Sequence, residues 1–128
     1  MRRSIDAWNR GDFDGWLESV HPDMEFRTSG LYPGLEPIYR GLVELRHFWN
    51  DFRDPWESLH IDVDDAREVG NRVVALCTFH GHAREGLSVQ REAAMVWTFV
   101  NGLVISVESY GSWKEALDAI GLHSRRIP

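Results

Sequence analysis

The sequence predicts an α+β domain in which a curved antiparallel sheet is wrapped by helices into a cone. Three observations carry this expectation. Helical spacing of apolar residues is confined to the two ends of the chain, and a two-residue period takes over from Trp56. The stretch Arg91 to Tyr110 then holds two long apolar runs that meet at Val100-Asn101-Gly102. Helices, then a meander of four long strands, then a closing helix is an α+β order and not alternating βαβ. Long strands twist and curl, and helices packed on the concave face leave a cone with one open end.

Ile5 and Trp8 lie three apart before Asn9-Arg10-Gly11, which reads as the end of a helix whose start is cut short, placing Met1 inside it. Asp12 can cap a second short helix that buries Phe13, Trp16, Leu17 and Val20 and stops at a His21-Pro22-Asp23 turn. Met24 to Thr28 is a short strand. Ser29 to Arg40, with Gly30, Pro33, Gly34 and Pro37, is an irregular loop. Leu42, Leu45, Phe48, Trp49 and Phe52 follow at helical spacing until Pro55.

Leu59, Ile61 and Val63 alternate with His60, Asp62 and Asp64, the pattern of a half-buried strand. Gly70-Asn71 turns the chain. Val73 to His82 is apolar on both faces for most of its length, so it is central and covered on both sides. In the next hairpin, a three-residue loop with Gly102 left-handed sets Phe99 opposite Leu103, Trp97 opposite Ile105, Met95 opposite Val107 and Ala93 opposite Ser109. That face turns inward. The other carries Glu92, Ala94, Val96 and Thr98 beside Val104, Ser106, Glu108 and Tyr110, a mixed surface for water or a partner subunit. Ser112 and Glu115 form a capping box, and Trp113, Leu117 and Ile120 are the stripe of a last helix closed by Gly121.

At 128 residues and 43% hydrophobic, the chain supports one core and one domain spanning 1–128. A net charge of −6, with no basic run longer than Arg125-Arg126, argues against nucleic acid or an anionic membrane as partner. Cys77 is the only cysteine, so no internal disulfide forms and a cytoplasmic location is expected. No apolar stretch follows the charged amino terminus, so neither a signal peptide nor a membrane span is expected.

Chemistry-bearing residues are sparse. His80-x-His82 places two imidazoles on one strand face with Glu92 on the neighbouring strand, but three or four convergent ligands are the rule, and no metal site is expected. Glu92 and Glu108 face outward in the predicted register, where solvated or interfacial acids are the ordinary reading. Glu108 becomes a candidate base only if the register is off by one. Cys77 lies among apolar neighbours as packing. Arg91 shares the inward parity of Met95 near a strand end, where it can meet a ligand's carbonyl or carboxylate at the cavity mouth. Tyr32 and Tyr39, in the Gly/Pro-rich loop, can close that mouth and donate a hydrogen bond. The expected lining is Phe26, Phe48, Trp49, Phe79, Met95, Trp97, Phe99 and Val107, with Thr28, Ser109, Tyr39 and Arg91 as its few polar points. Such a lining suits a flat hydrophobic molecule better than a sugar phosphate.

Ala7-Trp8-Asn9-Arg10-Gly11-Asp12, His21-Pro22-Asp23, Tyr39-Arg40-Gly41, Phe48-Trp49 and Val96-Trp97-Thr98-Phe99 with Asn101-Gly102 resemble the SnoaL-like branch of the nuclear transport factor 2-like superfamily. The resemblance covers nearly the whole chain. It implies a cystatin-like α+β barrel, commonly dimerised through the outer sheet face. Its members include polyketide cyclases, steroid isomerases, epoxide hydrolases and non-catalytic modules, so shared architecture does not choose an activity.

Residue by residue, the steroid-isomerase pattern places its general base at Thr28, which cannot remove a carbon-bound proton, and its oxyanion donors near Ser4 and Met95. The final acid of the limonene-type epoxide hydrolases would land near Ser109. Neither mechanism is therefore implied. The resulting expectation is a pocket for a small apolar, possibly polycyclic molecule, without cofactor. The alternatives are a cyclase or isomerase using Glu108, Tyr39 or Arg91, and an accessory module whose cone is filled by its own rings.

Overall fold

A computed structural model describes residues 1–32 and 34–122; Pro33 and Arg125-Arg126 lie outside the described residues. The helices are α1 (Arg2–Arg10), α2 (Phe13–Glu18), α3 (Gly41–Arg53) and α4 (Trp113–Ala119). The strands are β1 (Val20–Arg27), β2 (Ile38–Arg40), β3 (Trp56–Val69), β4 (Arg72–Ala83), β5 (Ser88–Val100) and β6 (Leu103–Tyr110). They form one curved sheet in the order β2-β1-β6-β5-β4-β3.

The Trp8–Asp12 segment explains how the amino terminus docks. Trp8 is buried in the core, and the Asn9 amide clamps β3 in both directions: its Nδ2 donates to the Ile61 carbonyl at 3.0 Å, and its Oδ1 accepts from the Ile61 N–H at 2.8 Å. Gly11, at φ 70°, ends α1 in the left-handed conformation, and the Asp12 carboxylate caps α2 by accepting from the Gly15 N–H at 3.0 Å. Four residues of this five-residue segment thus fix one helix against the sheet and turn the chain into the next.

Three expectations are corrected here. His21-Pro22-Asp23 is not a turn but part of β1, which starts at Val20 and pairs with β6 in parallel, so the sheet is antiparallel at every join except this one. Pro22 is tolerated because the β1–β6 register shifts between Val20 and Glu25, where its missing N–H costs no ladder bond. The loop from Ser29 ends earlier than expected, since Ile38–Arg40 forms β2 against Glu25–Arg27. Leu42 is exposed on α3, whose buried stripe is Leu45, Phe48 and Trp49.

The hairpin loop also differs. It has two residues, Asn101 (φ 52°) and Gly102 (φ 79°), with Val100 opposite Leu103 and Phe99 opposite Val104. A bulge at Ile105 then moves the register, so Trp97 faces Val107, Met95 faces Ser109 and Val96 faces Glu108. The bulge restores the two-sided pattern by another route: Met95, Trp97, Val107 and Val104 join the inner core, while Ala94 and Val96 lie outside. Leu103 and Ile105 therefore do not take the inward places predicted for them, and Val104 does.

The two sides of the sheet are covered differently. α1, α2 and α3 close the concave side over Ile61, Ala75, Cys77, Met95 and Trp97. α4 lies on the convex side, with Ala116, Leu117 and Ile120 on Val74, Ala94 and Val96, which explains why β4 is buried on both faces at mid-length. Ser112 caps α4 by accepting from the Glu115 N–H at 3.1 Å, while Glu115 reaches back to the Gly111 N–H. Among the described residues, α4 is the only helix on the convex face.

Candidate functional site

Inside the cone, rings from three helices and the sheet interlock. Trp8 packs edge-on to Trp49 at 5.0 Å between ring centres, and Phe26 stacks on Phe48 at 4.1 Å. The Arg53 guanidinium lies 5.0 Å above Trp8 and 4.8 Å above Trp49, and its Nη1 donates to the Trp8 carbonyl at 2.8 Å. These contacts fill the narrow end. They leave a cavity of about 30 Å³, room for no more than a water or two. Trp8, Trp16, Phe48, Met95 and Trp97 form its deep wall, and none of its twelve lining residues carries a carboxylate or an imidazole.

A second chamber of about 200 Å³ opens at the wide end, walled by Leu35, Trp56, Leu59, Gly81 and Val89, with Asp51 and Arg91 as its charged residues. Tyr32, Phe52 and Phe79 line both spaces. Their ring centres lie 5.8 Å (Tyr32–Phe52), 6.5 Å (Tyr32–Phe79) and 5.4 Å (Phe52–Phe79) apart, so three rings form the partition. Trp56 lies so close over Gly81 that a Cβ there would stand 2.6 Å from the ring, which is why the chamber floor needs glycine.

Tyr32 is the partition's one contribution from a loop, and three contacts hold that loop down. Its hydroxyl is 3.3 Å from Ser109 Oγ, Ser29 Oγ donates to the Ser109 carbonyl at 2.7 Å, and Arg91 Nη2 donates to the Leu31 carbonyl at 3.0 Å with its guanidinium 5.0 Å from the Tyr32 ring. Burial pushes the Tyr32 phenol above its ordinary range, outweighing the opposing effects of Ser109 and Arg91, so it remains a neutral hydrogen-bonding group.

The other expected site residues separate into two sets. Phe26, Phe48, Phe79, Met95 and Trp97 line the inner cavity, and Arg91 lines the outer chamber. Thr28, Tyr39, Trp49 and Val107 are buried but line neither. Thr28 Oγ1 donates to the Glu36 carbonyl at 2.7 Å. Tyr39 accepts from the Glu36 N–H at 3.0 Å and donates to Asp51 at 3.2 Å, so both residues pin the loop's return from below. Ser109 acts through Tyr32. Glu108 lies opposite Val96 on the convex side, half-buried, and Glu92 lies opposite Thr78, exposed. Ser4, Trp8, Trp16 and Phe52 line the cavity without having been expected to; the helical stripe marked the aromatic ones as core but not as wall.

The histidine pair lies elsewhere. On the convex face His60 donates to Asp62 Oδ1 and His80 to Asp62 Oδ2, each at 2.9 Å, while His82 meets Ser88 at 3.0 Å. His60 first and His80 second hold the Asp62 carboxyl below its usual range. Glu92 is not part of this cluster, and no group of three potential metal ligands converges among the described residues. Cys77 is fully buried, and burial pushes its thiol up to about 12.

Fold and site together define a cone-shaped α+β domain with an aromatic interior and a loop-closed mouth. The chain belongs to the SnoaL-like domain family, whose profile matches residues 1–107. Among solved structures it is similar to a nuclear transport factor 2-like protein of unknown function from Burkholderia pseudomallei, at 27% identity and a TM-score of 0.76, covering 94% of this chain and 93% of that one. TerC co-crystallised with polyporic acid shares 21% identity over 93% and 92% of the two chains, with a TM-score of 0.76. The Δ5-3-ketosteroid isomerase from a Mycobacterium species shares 15% over 87% and 88%, again at 0.76. The last two likenesses are of fold alone. Among curated proteins, none matches the sequence. No helix among the described residues is long and apolar enough to cross a membrane.

Proposed function

We propose that this SnoaL-like domain holds a small apolar, ring-shaped molecule in the space on either side of the Tyr32–Phe52–Phe79 partition, with the Tyr32 loop as its lid. The observation that carries the reading is that partition. Two spaces share one wall of three rings, and one of those rings sits on a loop fastened by a few hydrogen bonds. Swinging Tyr32 aside joins them into a slot walled by aromatic faces, which favours flat apolar guests over charged ones. Fold neighbours co-crystallised with polyporic acid or acting on ketosteroids lend support. Holding is favoured over turnover because the deep wall offers no carboxylate or imidazole as a base, the outer chamber's one carboxylate, Asp51, accepts a hydrogen bond from Tyr39, and Glu108 lies on the convex side.

Calorimetric titration with the bicyclic hydrocarbon tetralin tests the reading. Saturable binding that is weakened when Phe79→Asp places a charge in the partition is the expected result. Heats no larger than dilution for tetralin and similar bicyclics would leave the accessory role, with the cone filled by its own rings.

We further propose that a second copy of the chain pairs through the part of the convex face that α4 does not cover, where Thr78, His80, Gln90 and Glu92 are presented. Sedimentation that stays monomeric at all concentrations would exclude this. A cytoplasmic setting fits a chain whose one cysteine is a buried thiol.

A further inference from the structure

Among the described residues, Arg91 is the one basic side chain that lines either space of the cone. Strand β5 brings it to the outer chamber beside the lid. Its guanidinium lies 5.0 Å from the Tyr32 ring, itself a wall of that chamber, and one N–H goes to the Leu31 carbonyl at 3.0 Å. A guanidinium carries five N–H donors in a planar fork, and Leu31 is a neutral acceptor that takes one of them. Arg10, Arg27, Arg40 and Arg67 each meet a carboxylate, whereas Arg91 ion-pairs with none among the described residues.

The chamber's other charge is already engaged. Asp51 comes from α3 and accepts the Tyr39 hydroxyl at 3.2 Å, and Glu92, next to Arg91 in the chain, does not line the chamber. An anion entering is therefore drawn to the β5 wall and repelled by α3, while the rest of the wall, with Leu35, Trp56, Leu59, Phe79 and Val89, is apolar. From this we infer that the outer chamber recognises a carboxylate at Arg91, so that the guest is an amphipathic acid with its apolar ring in the aromatic slot and its charge trailing at the mouth. The inference rests on the guest-binding reading above and narrows its class to ring-bearing monocarboxylic acids. It assigns Arg91 as a specificity-determining residue. A carboxylate matches the guanidinium fork in a paired, charge-assisted contact that is stronger than one to a neutral carbonyl. The slot itself still meets only an apolar face. A chain of net charge −6 repels acids at long range, so a preference for one has to come from this local cation.

The test titrates the full chain calorimetrically, near neutral pH, with three compounds built on one bicyclic skeleton: neutral tetralin, the anion tetralin-2-carboxylate and the cation 2-aminotetralin. The carboxylate is expected to bind about tenfold tighter than tetralin, and 2-aminotetralin no tighter than tetralin. Added salt narrows the carboxylate's advantage. Arg91→Gln removes the charge and brings the carboxylate to tetralin's affinity or below it. Arg91→Lys keeps the charge without the planar fork and restores part of the preference.

A carboxylate that binds no tighter than tetralin overturns the inference and leaves the pocket intact. So does 2-aminotetralin binding tighter than the carboxylate, which gives the recognising role to Asp51, and so does a preference for the acid that survives Arg91→Gln. Binding of none of the three removes the guest-binding reading and this inference with it. Should Arg91→Gln fail to fold, the Arg91 Nε–H resonance of the unaltered chain decides. It is expected to move downfield with the carboxylate and not with tetralin, and an unmoved resonance overturns the inference.

Discussion

The deep end of the cone and its mouth are built from the same kinds of side chain but held by different forces. At the deep end, Trp8 meets Trp16, Phe48, Trp49 and Phe52 within about 6 Å, and each ring fixes the next. At the mouth, Tyr32 meets two rings and hangs on a loop secured by Ser109, Ser29 and Arg91. Ring-on-ring packing resists opening cooperatively, whereas a few half-exposed hydrogen bonds can break together at small cost. The difference teaches that fold stability resides in the narrow end and access in the wide end, on a single continuous aromatic wall.

The largest effect that can break this division is at Trp8. Trp8→Ala removes the ring that the others share and strands Arg53, so it is expected to cost about 3–5 kcal/mol in denaturant unfolding. Tyr32→Ala, at the mouth, is expected to cost only about 1–2 kcal/mol while shortening the residence of a bound guest. Equal losses at the two sites would erase the distinction.

A pH titration sharpens the comparison from the core side. The Cys77 thiol is raised from 9.0 to about 12 by burial, so its contribution is fully present below pH 9 and is lost as pH climbs toward 12. Melting curves should show a decline over that window worth up to roughly 4 kcal/mol, and Cys77→Ala should flatten it while lowering the starting stability. The Tyr32 phenol has the same sign from pH 10 upward. A decline unchanged by Cys77→Ala would place the alkaline sensitivity in the tyrosines.

The smallest expected effects lie on single polar contacts. Asp12→Ala removes the α2 cap and is expected to cost about 1 kcal/mol. Arg91→Gln, on an exposed side chain, should change stability by less than about 0.5 kcal/mol yet raise protease cleavage within residues 29–37. An Arg91→Gln loss as large as the cap's would mean that the lid contributes to the fold.

Sequence periodicity was enough for the helix-strand-helix order and the inward parity of Met95 and Trp97, because each depends on alternation that a strand or helix cannot disguise; β4 is covered on both faces at mid-length as expected, but it lies one strand in from the edge and not at the centre of the sheet. It could not reveal the bulge at Ile105. Asn101-Gly102 favours a two-residue loop and the apolar pattern favours another register, and only the inserted residue satisfies both. The parallel β1–β6 join was invisible for a related reason: Pro22 marks a turn in most contexts, and here it sits in a register shift. Tyr39 and Thr28 were expected as polar points of the cavity and its mouth, whereas they support the loop from below because each is tied to Glu36.

The central claim is that the aromatic interior is a binding space entered past Tyr32. A crystal structure grown with tetralin tests it most directly. The account predicts the ligand between Phe52, Phe79 and Trp97, with Tyr32 displaced. Tetralin bound only on the convex face beside His80, with the Tyr32–Phe52–Phe79 partition closed, would contradict it.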